Sequence, residues 1–429
     1  MMRVVLISEI FAKGMGYLEN GLPKYLARLG ARVDVVASSL PPDYRQNPEQ
    51  RAYRDFAHGL PAGSVETVDG FRLHVLGHAK TLGHIRLLGL APKLQELQPQ
   101  VVQTMTPIGW IAIESAWNRS RLGYRLFSGC HYHASVFPLA RTESPFFHPE
   151  RLQCYLERGL HGRMVSWATE KYYAISRDCA EVAAGFFGVP WDKLEVCPLG
   201  VDTEIFHPAS GHEERAERTA LRERQGFRDR EIVCIYSGRF TEDKNPLLLA
   251  RAIAKLVSAG EPFRGLFIGN GPQATEIGQC RGSVTHPFMP MSQLGAFYRA
   301  ADLGVWPAEE SMSMLDALAC GLPLIANDTM RAPERTEGTG LVYRLGDVDD
   351  LVLKLRSFGD AGVRKRLGAE GARRMREEFS WEAIAARRIE DYSATLGGKK
   401  ATAGKESAGT MDAKKTSQTR LPAPGVECE

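Results

Sequence analysis

"IVCIYSGRFTEDKNPLLL", residues 232–249, passes from a β-branched apolar run through a short polar hinge into an apolar run of helical spacing. Strand, hinge and helix in that order begin a βαβ unit, the building block of parallel sheets. After Gly238 the hinge carries two cations, Arg239 and Lys244. Pro246 suits the first helical position and Asn245 the cap before it, so Lys244 is expected just outside a helix amino terminus whose N–H groups face outward. Such a start, at the carboxyl end of a strand, suits a phosphate or diphosphate. The same cations also read as solvated loop residues paired with Glu242 and Asp243, so support must come from elsewhere in the chain.

Working outward, short β-branched runs alternate with longer helical patterns over most of the 429 residues. Strands are expected at residues 4–7, 33–37, 101–103, 125–127 and 172–175, and again at 232–236, 266–268, 303–306 and 324–326. "ENGLPKYLARLG", residues 19–30, repeats apolar side chains at helical spacing and stops at a glycine. The fold class is therefore α/β, with parallel sheets covered by helices on both faces and ligands at the carboxyl ends of the strands. The strand and helix pattern restarts after "CPLGVDTEIFHP", residues 197–208, and a charged stretch at 213–230 that reads as an exposed helix or linker. Two Rossmann-like domains follow, at 1–198 and 199–375, in keeping with a length beyond one core. From about residue 397 the chain is poor in large apolar side chains, so a disordered tail is expected.

Composition narrows the function. A formal net charge of +3 does not suggest nucleic acid as a partner, and the eight cysteines include no Cys-x-x-Cys pair that would suggest a zinc cage or redox dithiol. The amino terminus has too short an apolar stretch for a signal peptide, and 18 consecutive apolar residues occur nowhere. A soluble, cytoplasmic protein is expected.

Three further segments carry chemistry. "EESMSMLDALACGLP", residues 309–323, opens a helix after Ser313. Backbone N–H groups of Ser311, Met312, Ser313 and Met314 suit a second face of the same diphosphate, while Glu310 and Asp316 suit sugar hydroxyls; acidic residues also favour first turns for helix-dipole reasons alone. "KGMGYLEN", residues 13–20, places Gly14 and Gly16 where backbone can approach a ligand closely, or simply turn. "SGCHYHAS", residues 128–135, sets His131 and His133 at a strand end, as cleft residues, as structural histidines or as a metal pair lacking further ligands.

Taken in order, "YSGRFTEDKNP", "FIGNGP", "FYRAADLGVWPAEES", "LDALACGLPLIAND" and the crossover ending in "GVDTEIFHP" resemble the retaining GT-B glycosyltransferases of family 4. The resemblance implies two facing Rossmann-like domains around a cleft, and a closing helix at 376–396 that returns to the first domain. It implies transfer of a sugar from a nucleotide-diphosphate sugar, UDP- or GDP-linked, to a hydroxyl acceptor by an enzyme of hexosyltransferase type. Arg239 and Lys244 match the basic pair that grips the donor diphosphate, so neither metal nor other cofactor is expected. Glu310 resembles the first acid of the family's Glu-x7-Glu motif, which contacts the sugar, and Asp316 the second, which holds the ribose. The spacing departs from the motif: six positions separate the acids instead of eight, and Glu309 is an alternative first acid. The family's cleft histidine matches either His131 or His133.

Two other activities fit the same fold: a nucleotide-sugar epimerase, and an inactive sugar-nucleotide-binding subunit suggested by the shortened acidic loop. The acceptor is expected to meet loops at 38–66 and 138–152, where "PFFHPERL" offers an aromatic wall. The basic and apolar segment at 78–95 reads first as an ordinary core helix and second as a peripheral contact with the inner face of an anionic membrane.

Overall fold

The structure, a computed structural model, describes residues 1–41, 59–81, 83–133, 149–330 and 335–398. In chain order the first half runs β1 (Arg3–Ile7), α1 (Leu18–Arg28), β2 (Arg32–Ser38), β3 (Val65–Val68), β4 (Phe71–Leu76), β5 (His78–Thr81), β6 (His84–Leu87), α2 (Leu90–Leu97) and β7 (Val101–Thr104). It continues through α3 (Gly109–Leu122), β8 (Arg125–Cys130), α4 (Pro149–Cys154), a π-turn, α5 (Leu160–Ala168), β9 (Lys171–Ala174), α6 (Arg177–Gly185) and β10 (Leu194–Val196). The second half runs α7 (Gly211–Arg224), β11 (Ile232–Ser237), α8 (Pro246–Ser258), β12 (Phe263–Ile268), α9 (Ala274–Gln279), β13 (Ser283–His286) and α10 (Met291–Ala300). It ends with β14 (Leu303–Trp306), α11 (Ser313–Ala319), β15 (Leu324–Asn327), β16 (Gly340–Tyr343), α12 (Val348–Ser357), α13 (Ala361–Glu378) and α14 (Trp381–Leu396).

These strands build two large sheets. The first has the order β10-β9-β8-β7-β1-β2-β4-β3, parallel except for the β3–β4 pair; the second, β13-β12-β11-β14-β15-β16, is parallel throughout. Parallel strands buried on both faces read as continuous apolar runs, and β11 and β14 are buried at every position. The chain reverses its direction of winding beside β1 in one sheet and beside β11 in the other. Connections leave such a point in opposite directions and open a crevice at the carboxyl ends, which is where loops 8–17 and 238–245 lie.

One large core surrounds the second sheet, from Val201 and Phe206 to Met375, while the first sheet is covered on one side by α1 and α14 and on the other by α2 and α3. The last helix therefore packs on the first sheet. Ser380 caps it by accepting the Ala383 N–H, Trp381 donates its backbone N–H to Val201, and Trp381, Ile384 and Tyr392 are buried beside β1 and β2. Asp391 accepts from Lys171 Nζ at 2.9 Å and from the Tyr173 hydroxyl at 2.7 Å, satisfying polar groups buried under the helix.

The helix expected over 78–95 is not there. Residues 78–81 and 84–87 pair as antiparallel strands, with Gly83 (φ +76°) just before the second, and α2 begins only after Gly89. Ile85 and Leu87 are buried while Arg86 and Leu88 are exposed, a two-residue period that the basic and apolar composition of the segment obscures. β3, β4, β10, β13 and β16 also lie outside the stretches expected as strands, most of them too short to show a period. Of the expected acceptor loops at 38–66 and 138–152, residues 42–58 and 138–148 lie outside the described residues, as does the tail from 399. Among the described residues no helix is long and apolar enough to cross a membrane.

Candidate active site

The hinge after β11 departs from its sequence reading in one respect. Asn245 adopts the left-handed region (φ +46°) and makes no side-chain cap; the first available N–H of α8, on Leu247, instead donates to Gln273 Oε1 at 3.3 Å. Leu247 and Leu248 are buried, so this helix start is closed by protein rather than presented to a ligand. Gly238 (φ +150°) and Gly269 (φ +151°) let the loops after β11 and β12 touch: a Cβ on Gly269 would stand 1.8 Å from the Gly238 carbonyl oxygen.

Lys244 points the other way, toward the loop after β14. Its Nζ donates to the Glu310 carbonyl at 2.8 Å and pairs with Glu309 Oε2 at 3.1 Å. Arg239 pairs with Asp243 at 2.9 Å and stays partly exposed beside it. Glu309 is largely exposed, so an incoming anion replaces it on Lys244 at small desolvation cost. The ground between β11 and β14 is held by a tight network: Trp306 Nε1 donates to the Ser237 carbonyl and to Ser313 Oγ, Ser313 Oγ donates to the Ser237 carbonyl, and Ser311 and Ser313 share a hydroxyl contact. Ser313 thus spends its side chain on structure. The Met314 N–H turns back to the Ser311 carbonyl, and the N–H groups of Ser311, Met312 and Ser313 have no protein acceptor among the described residues.

Glu310 and Asp316 separate cleanly. Glu310 Oε2 lies 3.4 Å from Arg335 Nη1, and Arg335, itself buried, also donates to the Ser311 carbonyl. The Cys179 thiol, in the first turn of α6, is pushed up to about 12 by burial first, with the charges of Asp178 and Glu310 adding to it. Asp316 sits half-buried one turn into α11, its carboxyl pushed up to about 8 by burial and then by the negative charge of Asp202 in the crossover. Arg335 carries no motif in the sequence, and no signal there would have found it.

On the facing side, Gly14 is in the left-handed region (φ +74°) with open space around it, and Gly16 lies against Met291, whose sulfur would stand 2.2 Å from a Cβ added there. The loop after β1 therefore touches the second unit. Glu19, in the first turn of α1, was not anticipated; burial pushes its carboxyl up to about 7. The two histidines differ. His133 Nδ1 is 3.4 Å from Asp178, whereas the His131 ring lies over Gly129, beside the loop after β7, and its buried Nε2 has no partner among the described residues. Burial, then His133, lowers His131 to about 4, so its ring is neutral at physiological pH.

Comparison with known proteins bears on the family and the fold. A family model described as Glycosyltransferase Family 4 matches residues 21–205, and one described as Glycosyl transferases group 1 matches residues 231–358. A D-inositol 3-phosphate glycosyltransferase of Rhodococcus erythropolis is 28% identical over 66% of this chain and 64% of its own length. That of Xylanimonas cellulosilytica is 28% identical over 89% of this chain and 92% of its own. Among solved structures, Anabaena HepE in complex with UDP and glucose superposes with a TM-score of 0.62 at 14% identity, covering 92% of this chain and all of that one.

Proposed function

The chain belongs to glycosyltransferase family 4 and is a glycosyltransferase of GT-B architecture acting on nucleotide sugars; from that premise we propose a retaining, metal-independent transfer to a hydroxyl acceptor. One observation carries the proposal: Lys244 Nζ bonds the loop that leads into α11, where β11 and β14 part, and the N–H groups of Met312 and Ser313 there have no protein acceptor among the described residues. Fixed donors of this kind stabilise charge that develops on a leaving diphosphate. The bond from the anomeric carbon to the phosphate oxygen breaks as the bond to the acceptor oxygen forms on the same face, and the acceptor proton leaves with the diphosphate.

Glu310, held by Arg335, accepts from hydroxyls of the transferred sugar, and Asp316 from the ribose. Neutral His131 donates to the sugar from the other side. The crevice between the sheets aligns donor and acceptor and limits water. UDP- or GDP-linked donors are the first to test, given that HepE was solved with UDP and glucose. The acceptor is a glycan, a lipid-linked sugar or a small molecule. A lipid-linked acceptor would bring the cytoplasmic enzyme to the inner membrane face, where the exposed Arg86 and Leu88 offer basic and apolar contact. A thermal-shift screen of nucleoside diphosphates, followed by the matching sugar donors, tests the reading. A melting rise for at least one diphosphate, with donor consumption that accelerates on adding acceptor, is expected. Epimer formation from the donor alone would overturn it in favour of an epimerase.

A further inference from the structure

The opposite edge of the second sheet holds a pocket that the proposed reaction does not use. It is an open depression of about 260 Å³ at the amino ends of β14 and β15, between α7, α10 and α13. Arg218, Arg299, Arg364 and Lys365 line it, with Asp302 as the acid among the lining residues. That acid is already saturated. Asp302 accepts from Arg218 at 2.7 Å, from Arg222 at 3.0 Å and from the Val233 N–H at 2.8 Å.

The remaining cations are under-compensated. Arg299 is shared by Glu217 at 3.4 Å and Glu214 at 3.8 Å, and its buried Nε has no hydrogen-bond acceptor among the described residues. Arg364 donates to the Phe358 and Gly359 carbonyls, and neither it nor Lys365 forms an ion pair among the described residues. The lining cations Arg218, Arg299, Arg364 and Lys365, with Arg222 buried behind Asp302, thus stand against Asp302, Glu214 and Glu217, an excess of two positive charges. Gathering like charges costs energy unless an anion joins them, and guanidinium groups match the geometry of phosphate oxygens.

We propose that this pocket binds a small phosphorylated anion, either inorganic phosphate or the phosphate of a monoester. Its wall includes Cys320 and Gly321 at the far end of α11, the helix whose first turn lines the crevice, and α13 packs on that end so closely that a Cβ on Gly368 would stand 1.9 Å from the Gly321 carbonyl oxygen. The site is independent of the donor grip.

The test is a thermal-shift titration of the full chain with inorganic phosphate and with a hexose monophosphate, against sodium chloride at matched ionic strength. It uses wild type, Lys244→Ala, Lys365→Ala and the double variant Arg364→Gln/Lys365→Ala. Phosphate should stabilise wild type and Lys244→Ala alike, and bind about tenfold more weakly to the double variant. Should the double variant fold poorly, Lys365→Ala, whose side chain is exposed, carries the test with a smaller loss in the same direction. Tighter binding of the hexose monophosphate identifies an ester ligand; equal or weaker binding identifies free phosphate. Equal binding by the double variant, loss in Lys244→Ala alone, or an equal shift with chloride would overturn the proposal.

Discussion

Glu310 and Asp316 are six positions apart in the sequence, yet the structure gives them different neighbours: Arg335 for the first and Asp202 for the second. Glu310→Gln is expected to depress turnover more than nucleoside diphosphate affinity, and Asp316→Asn the reverse, with calorimetry of binding set beside steady-state rates. Intact nucleotide affinity in Asp316→Asn, together with its loss in Glu310→Gln, would exchange the two roles. Asp316 also has a pH signature. Its folded carboxyl titrates near 8, well above the roughly 3.9 of an unfolded aspartate. The contribution of this group to stability is complete below the unfolded value and is lost as pH rises through the folded one. Melting of Asp316→Asn should therefore decline less than wild type between about pH 5 and 8; parallel curves would contradict this. The acids and cations proposed for the reaction could be picked out because the motifs quote them; Arg335 and Glu19 could not, since their surroundings come from packing against distant chain.

At the scale of single elements, the apolar runs of β1, β2, β11 and β14 could be read directly, because strands buried on both faces leave little ambiguity. The hairpin at 78–87 could not, as alternation over four residues is masked by a mixed composition. Nor could the start of α8, where Gln273, 26 positions from Leu247 in the chain, does what Asn245 was expected to do. α14 shows how a terminal helix is anchored by a polar group. Asp391→Ala would remove one of the two carboxylates paired with buried Lys171 and the acceptor of the Tyr173 hydroxyl. A loss of about 2–3 kcal/mol in urea unfolding is expected, since removing one partner of a buried pair strands the other. Unchanged stability would show that the apolar face of α14 suffices.

For the whole molecule, two sheets each open a crevice where winding reverses, and contact between Gly16 and Met291 brings the two crevices face to face. The alternation of strands and helices announced both sheets in the sequence; the closeness of the two loops did not follow from it, because it depends on how the crossover is held. Lys24 and Tyr25 of α1 bond Asp202 in that crossover at 2.7 and 2.8 Å, fixing the second unit to the first. In the proposed reaction the charge that balances a leaving diphosphate comes from the protein itself. The most direct test is turnover with a sugar donor in excess EDTA, for wild type and Lys244→Ala. Wild type should stay within about twofold of its rate without chelator, while Lys244→Ala, folded normally, loses on the order of 2–4 kcal/mol of transition-state stabilisation, or about 30- to 1000-fold in turnover. Activity that vanishes with EDTA and returns with magnesium or manganese, alongside an active Lys244→Ala variant, would contradict the account.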